Sequence, residues 1–510
     1  MSRPTKRLPV VGGATVRNRD RLKGRLAARK SSDIVCALVG YLGSGVSRVA
    51  GVLSEQAISL GFEPVMIRLS DEIAKRSDTS FGTRSTITRT RALQAAGDKL
   101  RKNHGESIVA GLGIKKIRDT RNASESEAPR VFILDSLKHP SEVHVLRETY
   151  GSSFYLITVI CNESTRRERL QLKYKNEPPG SDPKHLMELM QDDRKGSEKY
   201  GQHVRKTAQL ADLFVVNEGG HDLAEELDRF LLALTGREIV RPTRNERGMH
   251  AAWAASLRSS CLSRQVGAAI VGPSGELLAT GANDPPAPGG GVYRDGDHYD
   301  RRCFKWKEGE PKGFCRNDRQ KDTIYAAVYE KMRGEGLLSS TTDAKTLAKA
   351  LAATRIGALI EFSRAIHAEM DAILELARNG KGIPPGSSLF CRAYPCHNCA
   401  RHLVAAGISE VVCIEPYDKS MALELHADAI RDVSVPEPKS DDPRVVFRLF
   451  KGVAPRRYAA LFEKRRELKG ARGTLLELPN TPEHADPVLT GSFLDLEKEL
   501  AADVEDALGS

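Results

Sequence analysis

The fold of the first half of the chain is decided by residues 34–47, which read IVCALVGYLGSGVS. An apolar run, a glycine-rich turn and a helical pattern follow one another, which predicts a strand, a loop and a helix. The loop has the spacing of a nucleotide-phosphate loop, with Gly40 and Gly45 in place and Ser47 where the magnesium hydroxyl belongs. Val46 replaces the lysine that normally reaches the β- and γ-phosphates. We therefore expect the loop to bind a nucleotide and Mg²⁺ without transferring phosphate; the alternative is a turn that only closes a βα unit.

Strands and helices alternate along the rest of this half. Apolar runs predict further strands, and one of them ends in Asp135, like the acidic strand that holds magnesium beside a phosphate loop. Arg166, Arg167 and Arg169 form a basic cluster on a predicted helix, as in the lid of nucleoside monophosphate kinases; a solvated helix face is the alternative. The alternation predicts an α/β domain with a mostly parallel sheet over residues 32–236.

Length and composition narrow the class of protein. A chain of 510 residues predicts two to four domains. The sequence has no run of about eighteen apolar residues, which argues against a membrane-spanning helix. Nine cysteines at irregular spacing do not suggest a disulfide framework. They favour a reduced, cytoplasmic chain that uses some of them for metal binding or catalysis.

Positive charge is concentrated at the start of the chain. Residues 1–30 hold ten Lys or Arg and one Asp, and so account for nine of the eleven net positive charges. The segment lacks the apolar core of a secretory signal, although its arginines would also suit an organellar transit peptide. We expect residues 1–31 to form a disordered, solvated arm, with a contact to nucleic acid as the alternative.

The second half shows another α/β pattern after a polar linker at 237–248. We expect a domain over 249–435 that is interrupted by an insertion at about 284–355. Residues 436–510 are rich in proline and charge, and we expect them to form a peripheral C-terminal extension.

Two short motifs about thirty residues apart give the strongest chemical signal. The first holds His367 and Glu369 at the start of a predicted helix, and the second holds Cys396 and Cys399 at the start of another. One His and a Cys-x-x-Cys pair suit tetrahedral Zn²⁺ and leave its fourth position open for water, which marks a catalytic site. The N-terminus of a helix also favours thiolate over thiol. Glu369 is placed to act as a general acid–base without binding the metal.

Each half of this pattern has a simpler explanation. A lone Cys-x-x-Cys also occurs as a redox pair, and a structural zinc with four ligands would recruit His397 or His402. Cys303 and Cys315, with His298 nearby, are candidates for a second, structural zinc in the insertion, and free cysteines are the alternative. Both halves in this order, each opening a helix, form the signature of the zinc nucleobase deaminases.

Residues 249–430 resemble the deoxycytidylate (dCMP) deaminases of the cytidine deaminase fold. Residues 263–271, SRQVGAAIV, and 278–283, LATGAN, are similar to the first two strands of that family. The resemblance implies a three-layer α/β/α domain in which the His and the two Cys bind zinc and the Glu transfers protons. It further implies that Asn283 binds the sugar of the substrate and Arg264 its phosphates.

The whole layout resembles the bacterial antiviral dCTP/dCMP deaminases, in which a degenerate P-loop, kinase-like domain is fused to a dCMP-type deaminase. Residues 136–142, SLKHPSE, and 211–214, ADLF, support this likeness. It implies hydrolytic deamination of dCTP or dCMP to the deoxyuridine nucleotide, which depletes the deoxycytidine pool during phage infection. It also implies association into a homo-oligomer, and inhibition by a noncoding RNA that would give the basic arm a role.

Two other functions stay open. A deaminase that edits polynucleotides would need a basic groove with aromatic stacking surfaces. Outside the arm the chain is nearly neutral, and aromatic residues make up only 5% of it, so we rank this second. A regulator that senses nucleotide or RNA through a deaminase effector is compatible with the first function.

Overall fold

The computed structural model describes residues 30–77, 86–124, 126, 128–175, 183–194, 200–218, 223–415, 420–433, 442–489, 491 and 493–508. Almost all of the predicted basic arm, residues 1–29, lies outside them. The chain forms two compact units. The first contains the chain up to Val240 and again from Leu461 onward, and the second is Arg241–Ala460. Within the described residues, no helix is both long and apolar enough to cross a membrane.

Five strands of the first unit form a parallel sheet. They are β1 (Ile34–Gly40), β2 (Glu63–Arg68), β3 (Arg130–Asp135), β4 (Phe154–Ile160) and β5 (Leu213–Val216). Their order is β2-β3-β1-β4-β5. Both β1 and β4 are buried along their whole length, which explains their uninterrupted apolar runs. Strands β2 and β3 lie on one side of β1, and β4 and β5 lie on the other, so the strand order reverses beside β1. Parallel α/β sheets bind ligands in the crevice at such a reversal.

Helices cover this sheet. Those that precede Val240 in the described residues are α1 (Val46–Ser59), α2 (Leu69–Lys75), α3 (Ile87–His104), α4 (Ile108–Asn122), α5 (Pro140–Tyr150), α6 (Glu163–Lys173), α7 (Pro183–Arg194), α8 (Val204–Ala208) and α9 (Leu223–Thr235). Arg101 of α3 and Glu142 of α5 are both buried and form an ion pair of 2.7 Å, which ties these two helices together. Such a pair orients elements more than it stabilises them, because both charges have lost their water.

The second unit is built on a mixed sheet. Its strands are β6 (Gly267–Val271), β7 (Leu277–Ala282), β8 (Ser388–Ala393), β9 (Glu410–Glu415), β10 (Ile430–Asp432) and β11 (Val445–Leu449). They lie in the order β10-β11-β9-β8-β6-β7, and β6 runs antiparallel to both of its neighbours. The sequence pattern did not predict β11, because this five-residue strand contains Arg448. The Arg448 side chain is accommodated by an ion pair with Glu410 of β9.

Helices lie on both faces of this sheet. The helices of this unit are α10 (Arg244–Ser256), α11 (Arg316–Gly334), α12 (Ala344–Ala352), α13 (Ala368–Arg378), α14 (His397–Ala405) and α15 (Ala422–Leu425). Helices α11 and α12 belong to the insertion and pack on each other. Along β8 the side chains alternate: Phe390 meets Gly248 of α10, whereas Leu389 and Cys391 share a buried cluster with Ala368 of α13. The unit therefore has three layers, and the predicted fold class, α/β with two sheet-based units, is confirmed.

The end of the chain returns to the first unit. A short helix, α16 (Tyr458–Phe462), lies at the return, and α17 (Leu494–Leu508) closes the described chain. Helix α17 packs on α4 so closely that a Cβ on Gly111 would lie 2.6 Å from Val504. Buried Glu497 pairs with Arg121 of α4. Part of the predicted peripheral extension, including Phe493 and Val504, thus belongs to the hydrophobic core of this unit.

Candidate active site

Two helix N-termini meet beside the central strands of the second unit. His367 is the N-cap of α13, and Cys396 is the N-cap of α14. Both residues have extended backbone, so their side chains project from the ends of the helices instead of lying along them. Cys399 lies in the first turn of α14, and its side chain turns toward the same point.

The three side chains are spaced for a single metal ion. Nδ1 of His367 lies 3.4 Å from Sγ of Cys396 and 3.3 Å from Sγ of Cys399. All three ligand atoms lie within 4.8 Å of one another. Zinc bonds of about 2.3 Å to sulfur and about 2.0 Å to nitrogen, at a tetrahedral angle, place the ligand atoms about 3.6 Å apart. The set therefore fits Zn²⁺ and leaves one position of the tetrahedron free of protein.

The site also favours a thiolate before any ion enters. A hydrogen bond from the Cys399 thiol, together with the nearby His367, lowers the pKa of Cys396 to about 4. The positive end of the α14 dipole acts in the same direction. A ready thiolate is the form of cysteine that binds a metal ion.

Glu369 is buried next to this triad, in the first turn of α13. Burial raises the pKa of its carboxyl, and His367 opposes that shift. The position is the one that the sequence predicted for a general acid–base. The carboxyl is close to the triad but does not belong to the His–Cys–Cys group itself.

A cavity of about 250 Å³ opens over the triad. His367, Glu369 and Cys396 form part of its wall, and the predicted substrate residues Asn283 and Arg264 form another part. The volume lies just below the range of about 300–1,000 Å³ that is usual for small-molecule sites. The structure thus brings the acid–base residue, both substrate residues and two of the three predicted metal ligands to the wall of one cavity.

The amide of Asn283 is already hydrogen-bonded to the backbone. Its Oδ1 accepts a bond of 2.7 Å from the N–H of Val266, and its Nδ2 donates one of 2.8 Å to the carbonyl of Arg264. Asn283 therefore fixes the end of the β6–β7 hairpin at the cavity wall. Asp284, which follows it, accepts hydrogen bonds from Ser260. These bonds hold the turn that follows β7.

Glycine allows the helix that holds Glu369 to approach the sheet. A Cβ on Gly281 of β7 would lie 2.1 Å from the carbonyl oxygen of Ala368 and 2.5 Å from the N–H of Ala372. No side chain fits in that space, since real Cβ contacts stay above about 3 Å. The backbone of α13 therefore rests directly on β7, and this contact sets the depth of Glu369 in the cavity.

The insertion contributes cavity residues that the sequence did not single out. Arg316 and Asn317, at the start of α11, line the cavity, and so does Arg364. The guanidinium of Arg316 lies 3.9 Å from the centre of the Trp306 ring, and that of Arg364 lies 4.7 Å from it. The sequence signal that could have identified these residues is the mixture of arginine and aromatic residues in this part of the chain. The Arg364 contact was hidden because Arg364 lies far from Trp306 in the sequence.

The described residues do not form a second group of side chains that could bind zinc. The one group of three or more metal-ligating side chains found there is the His–Cys–Cys triad. Cys303 and Cys315 line the cavity instead. His402 bonds the carbonyl of Asn398 and stands outside the triad, which does not favour a structural zinc with four ligands.

The glycine-rich loop of the first unit has the expected local shape. Gly45 adopts a left-handed conformation with φ of 80° at the N-cap of α1, which a residue with a side chain would strain to reach. Oγ of Ser47 donates a hydrogen bond of 2.7 Å to Oδ2 of Asp135. The two residues that the sequence proposed around a magnesium ion are therefore adjacent.

The three arginines of α6 have different partners. Arg166 is buried, bonds the carbonyl of Leu42 and stacks on Tyr41. Arg169 bonds the carbonyls of Ser44 and Asn217. Arg167 forms a surface pair with Glu163. Two of the predicted lid arginines thus brace the loop from the helix side, and the third matches the solvated-face alternative.

Comparison with known proteins assigns the second unit. The family model described as the cytidine and deoxycytidylate deaminase zinc-binding region matches residues 242–415. The deoxycytidylate deaminase of Enterobacteria phage T2 is 32% identical over 171 residues, which are 33% of this chain and 78% of that protein. A crystal structure of the dCMP deaminase from cyanophage S-TIM5, in complex with dCMP and dUMP, is 21% identical, with a TM-score of 0.22, and the match covers 37% of this chain and 93% of that one.

A further relative matches a longer stretch. The UPF0200/UPF0201 protein of Archaeoglobus fulgidus is 27% identical over 223 residues, which are 42% of this chain and 61% of that protein.

The second unit, with its three layers and its His–Cys–Cys–Glu cavity, is that of a hydrolytic deaminase. The chain belongs to the deoxycytidylate deaminase family.

Proposed function

We propose that the second unit converts a free deoxycytidine nucleotide, dCMP or dCTP, to the deoxyuridine nucleotide with release of ammonia. The observation that supports this most directly is the His367–Cys396–Cys399 group. Two of its members, His367 and Cys396, lie with buried Glu369 on the wall of one cavity. The cavity volume suits a single nucleotide better than a polymer.

The proposed chemistry divides between a metal and a carboxyl group. His367, Cys396 and Cys399 would hold Zn²⁺, which lowers the pKa of a water molecule and so supplies a nucleophile near neutral pH. Glu369 takes a proton from the attacking water and delivers it to the departing amino group of the cytosine ring. Water adds at C4, the C4–N bond breaks and ammonia leaves. Burial of Glu369 keeps bulk water from competing for that proton.

Asn283 and Arg264 are the proposed contacts to the sugar and the phosphates. Both line the cavity, and the amide of Asn283 would have to share its hydrogen bonds between backbone and substrate.

The decisive experiment incubates the purified full chain with dCMP, dCTP, deoxycytidine and single-stranded DNA, and measures the uracil products. Turnover of dCMP or dCTP alone supports the proposal, whereas turnover of single-stranded DNA alone would replace it with polynucleotide editing.

One aromatic ring on which a polynucleotide could stack is already covered by other side chains. The ring of Trp306, on the insertion, has three guanidinium groups against it, those of Arg301, Arg316 and Arg364. A polymer would need exposed rings on which successive bases stack. This contact supports free nucleotide over polymer.

For the whole chain we propose a defence enzyme that depletes deoxycytidine nucleotides during phage infection, with the first unit as a regulatory nucleotide-binding unit. The adjacency of Ser47 and Asp135 supports a nucleotide with Mg²⁺ at the loop. Regulation by RNA through the basic arm and association into a homo-oligomer belong to the same proposal. Measuring dCTP and dUTP pools in phage-infected cells, with the full chain and with its Glu369→Gln variant, tests the cellular role.

A further inference from the structure

A lysine outside the glycine-rich loop reaches it from the neighbouring strand. Nζ of Lys138 lies 3.4 Å from the carbonyl oxygen of Gly40, the first residue of the loop. Lys138 follows β3 by three residues, so its ammonium approaches the loop from the β3 side instead of from α1. The positive charge that Val46 lacks is therefore present at the mouth of the loop, supplied by another element.

The backbone of Lys138 is held firmly in place. Its N–H donates a hydrogen bond of 2.8 Å to Oε2 of Glu142, the buried carboxylate that also pairs with Arg101. Glu142 belongs to the capping box at the start of α5. Because this network is buried, it fixes the direction from which Lys138 extends, as a binding lysine requires.

A carboxylate occupies the place where the loop would hold an anion. Oδ2 of Asp193, on α7, accepts a hydrogen bond of 2.6 Å from the N–H of Leu42 in the loop. Its Oδ1 pairs with Nζ of Lys138 at 2.7 Å. The Asp193 side chain is only 1% exposed. One carboxylate thus binds both a loop N–H and the lysine, which are the two kinds of donor that such loops offer to phosphate.

The surroundings have room for a larger anion. Lys138, Asp193, Ser47 and Asp135 line a cavity of about 430 Å³ together with the loop. That volume lies within the range of small-molecule sites. Lys173 and Arg89 lie on the same wall and add positive charge.

We propose that Lys138 replaces the missing loop lysine and that Asp193 is an internal stand-in for a nucleotide phosphate, which it must give up when nucleotide binds. The ligand class is a nucleoside 5′-triphosphate with Mg²⁺, since the Ser47–Asp135 pair lies in the same cavity. This inference rests on the proposed nucleotide-binding role of the first unit. It adds that binding there is in competition with the chain's own carboxylate.

The test measures equilibrium binding of ATP, dATP and dCTP, each with Mg²⁺, to the full chain and its variants. Lys138→Met should weaken binding about tenfold or more, because it removes a charged donor to phosphate, and Lys138→Arg should restore most of it. Asp193→Asn should tighten binding about tenfold, because the amide no longer competes for the lysine and no longer repels the phosphate. Lys75→Met, an exposed lysine paired with Glu72, should bind like the unchanged chain.

The variants separate the possible outcomes. If the 138–193 contact is only a structural ion pair, Asp193→Asn will lower the melting temperature without tightening binding, and the inference is wrong. The double variant Lys138→Met/Asp193→Asn, in which neither charge is left unpaired, should still bind weakly if Lys138 contacts phosphate. If Lys138→Met binds nucleotide as tightly as the unchanged chain, the inference about Lys138 is wrong, but the nucleotide site stands. If neither the unchanged chain nor Asp193→Asn binds nucleotide, the proposed nucleotide site is wrong as well.

Discussion

The guanidinium of Arg264 pairs with the carboxylate of Glu415, which is buried to 2% exposure and also accepts a hydrogen bond of 2.7 Å from Nε of Arg392. One buried carboxylate thus orients two arginines. Arg264 is 48% exposed and lines the cavity over the His–Cys–Cys triad, whereas Arg392 is not part of the lining that the described residues form. The two arginines form a matched pair for separating substrate binding from structure.

Arg264→Ala should raise the KM for dCMP about tenfold with little change in kcat, because it removes a charged contact to the phosphate and leaves the reacting atoms alone. The KM for deoxycytidine, which has no phosphate, should stay the same. Arg392→Ala loses the same carboxylate partner and should leave both constants near those of the unchanged enzyme. Equal effects of the two substitutions would mean that the arginines only support the strand ends.

Metal content should follow the triad. The purified chain should hold one zinc ion, and Cys396→Ala should release it, since two ligands no longer complete the protein side of the site. Elemental analysis after gel filtration measures this directly. Cys413→Ala serves as the control, because Cys413 is a buried cysteine of β9 outside the triad. Full metal content in Cys396→Ala would refute the assigned ligand set.

Glu369→Gln should keep the zinc and the fold but lower kcat about a thousandfold, since general acid–base catalysis is worth about 10²–10⁴ in rate. Glutamine has nearly the same volume as glutamate and cannot transfer the proton. Rates of ammonia release, together with metal content, distinguish this outcome from a ligand role. A variant that loses its zinc would show that Glu369 binds the metal instead.

Gly281→Ala should destabilise the second unit by about 2–3 kcal/mol, because its Cβ would lie 2.1 Å from the carbonyl of Ala368 and push α13 away from β7. The same shift should lower turnover, since α13 holds Glu369. Gly382→Ala is the control: a Cβ there meets nothing within 4 Å, and its effect should stay within about 0.5 kcal/mol. Thermal unfolding followed by circular dichroism, with activity measured alongside, checks both variants.

Removal of residues 1–29 should leave deamination of free nucleotide unchanged, because the triad, Glu369 and the cavity lie in Arg241–Ala460. Lys30 and Ser31 are kept because they pair with Val488 and Leu489. RNA binding should weaken, most of all at low salt, since a contact made by the nine basic side chains of this segment is electrostatic. A salt series by filter binding measures it. Equal RNA affinity with and without the arm would leave the arm as a solvated tail.

Local sequence patterns predicted the parts of the fold that depend on nearby residues. The structure has the predicted strands in the run that ends at Gly40 and in the run that ends at Asp135. The two metal motifs stand at the starts of helices, as predicted. Apolar period, turn residues and ligand spacing all act within about ten residues, so one sequence suffices to find them. The His–Cys–Cys triad could be foreseen because zinc restricts both the residue types and the spacing.

Features that depend on contacts between distant segments were not foreseen. Asp193 meets Leu42 across about 150 residues, and nothing in the local pattern around either residue indicates it. The place of Arg448 within a strand has the same origin, since its ion-pair partner is Glu410 of another strand. In each case a charged residue looks solvated in sequence, and only a partner from another element accounts for its burial.

The return of the chain to the first unit after Leu461 has a consequence for synthesis. A ribosome releases residues 241–460 before α17 (Leu494–Leu508) exists, so every residue of the deaminase unit is available while the first unit still lacks the helix that covers α4. Until then Gly111 and Arg121 face water in place of Val504 and Glu497. During synthesis there is therefore a stage at which all residues of the deaminase unit exist and the first unit still lacks α17. A chain whose synthesis stops before α17 contains the whole deaminase unit and an incomplete first unit.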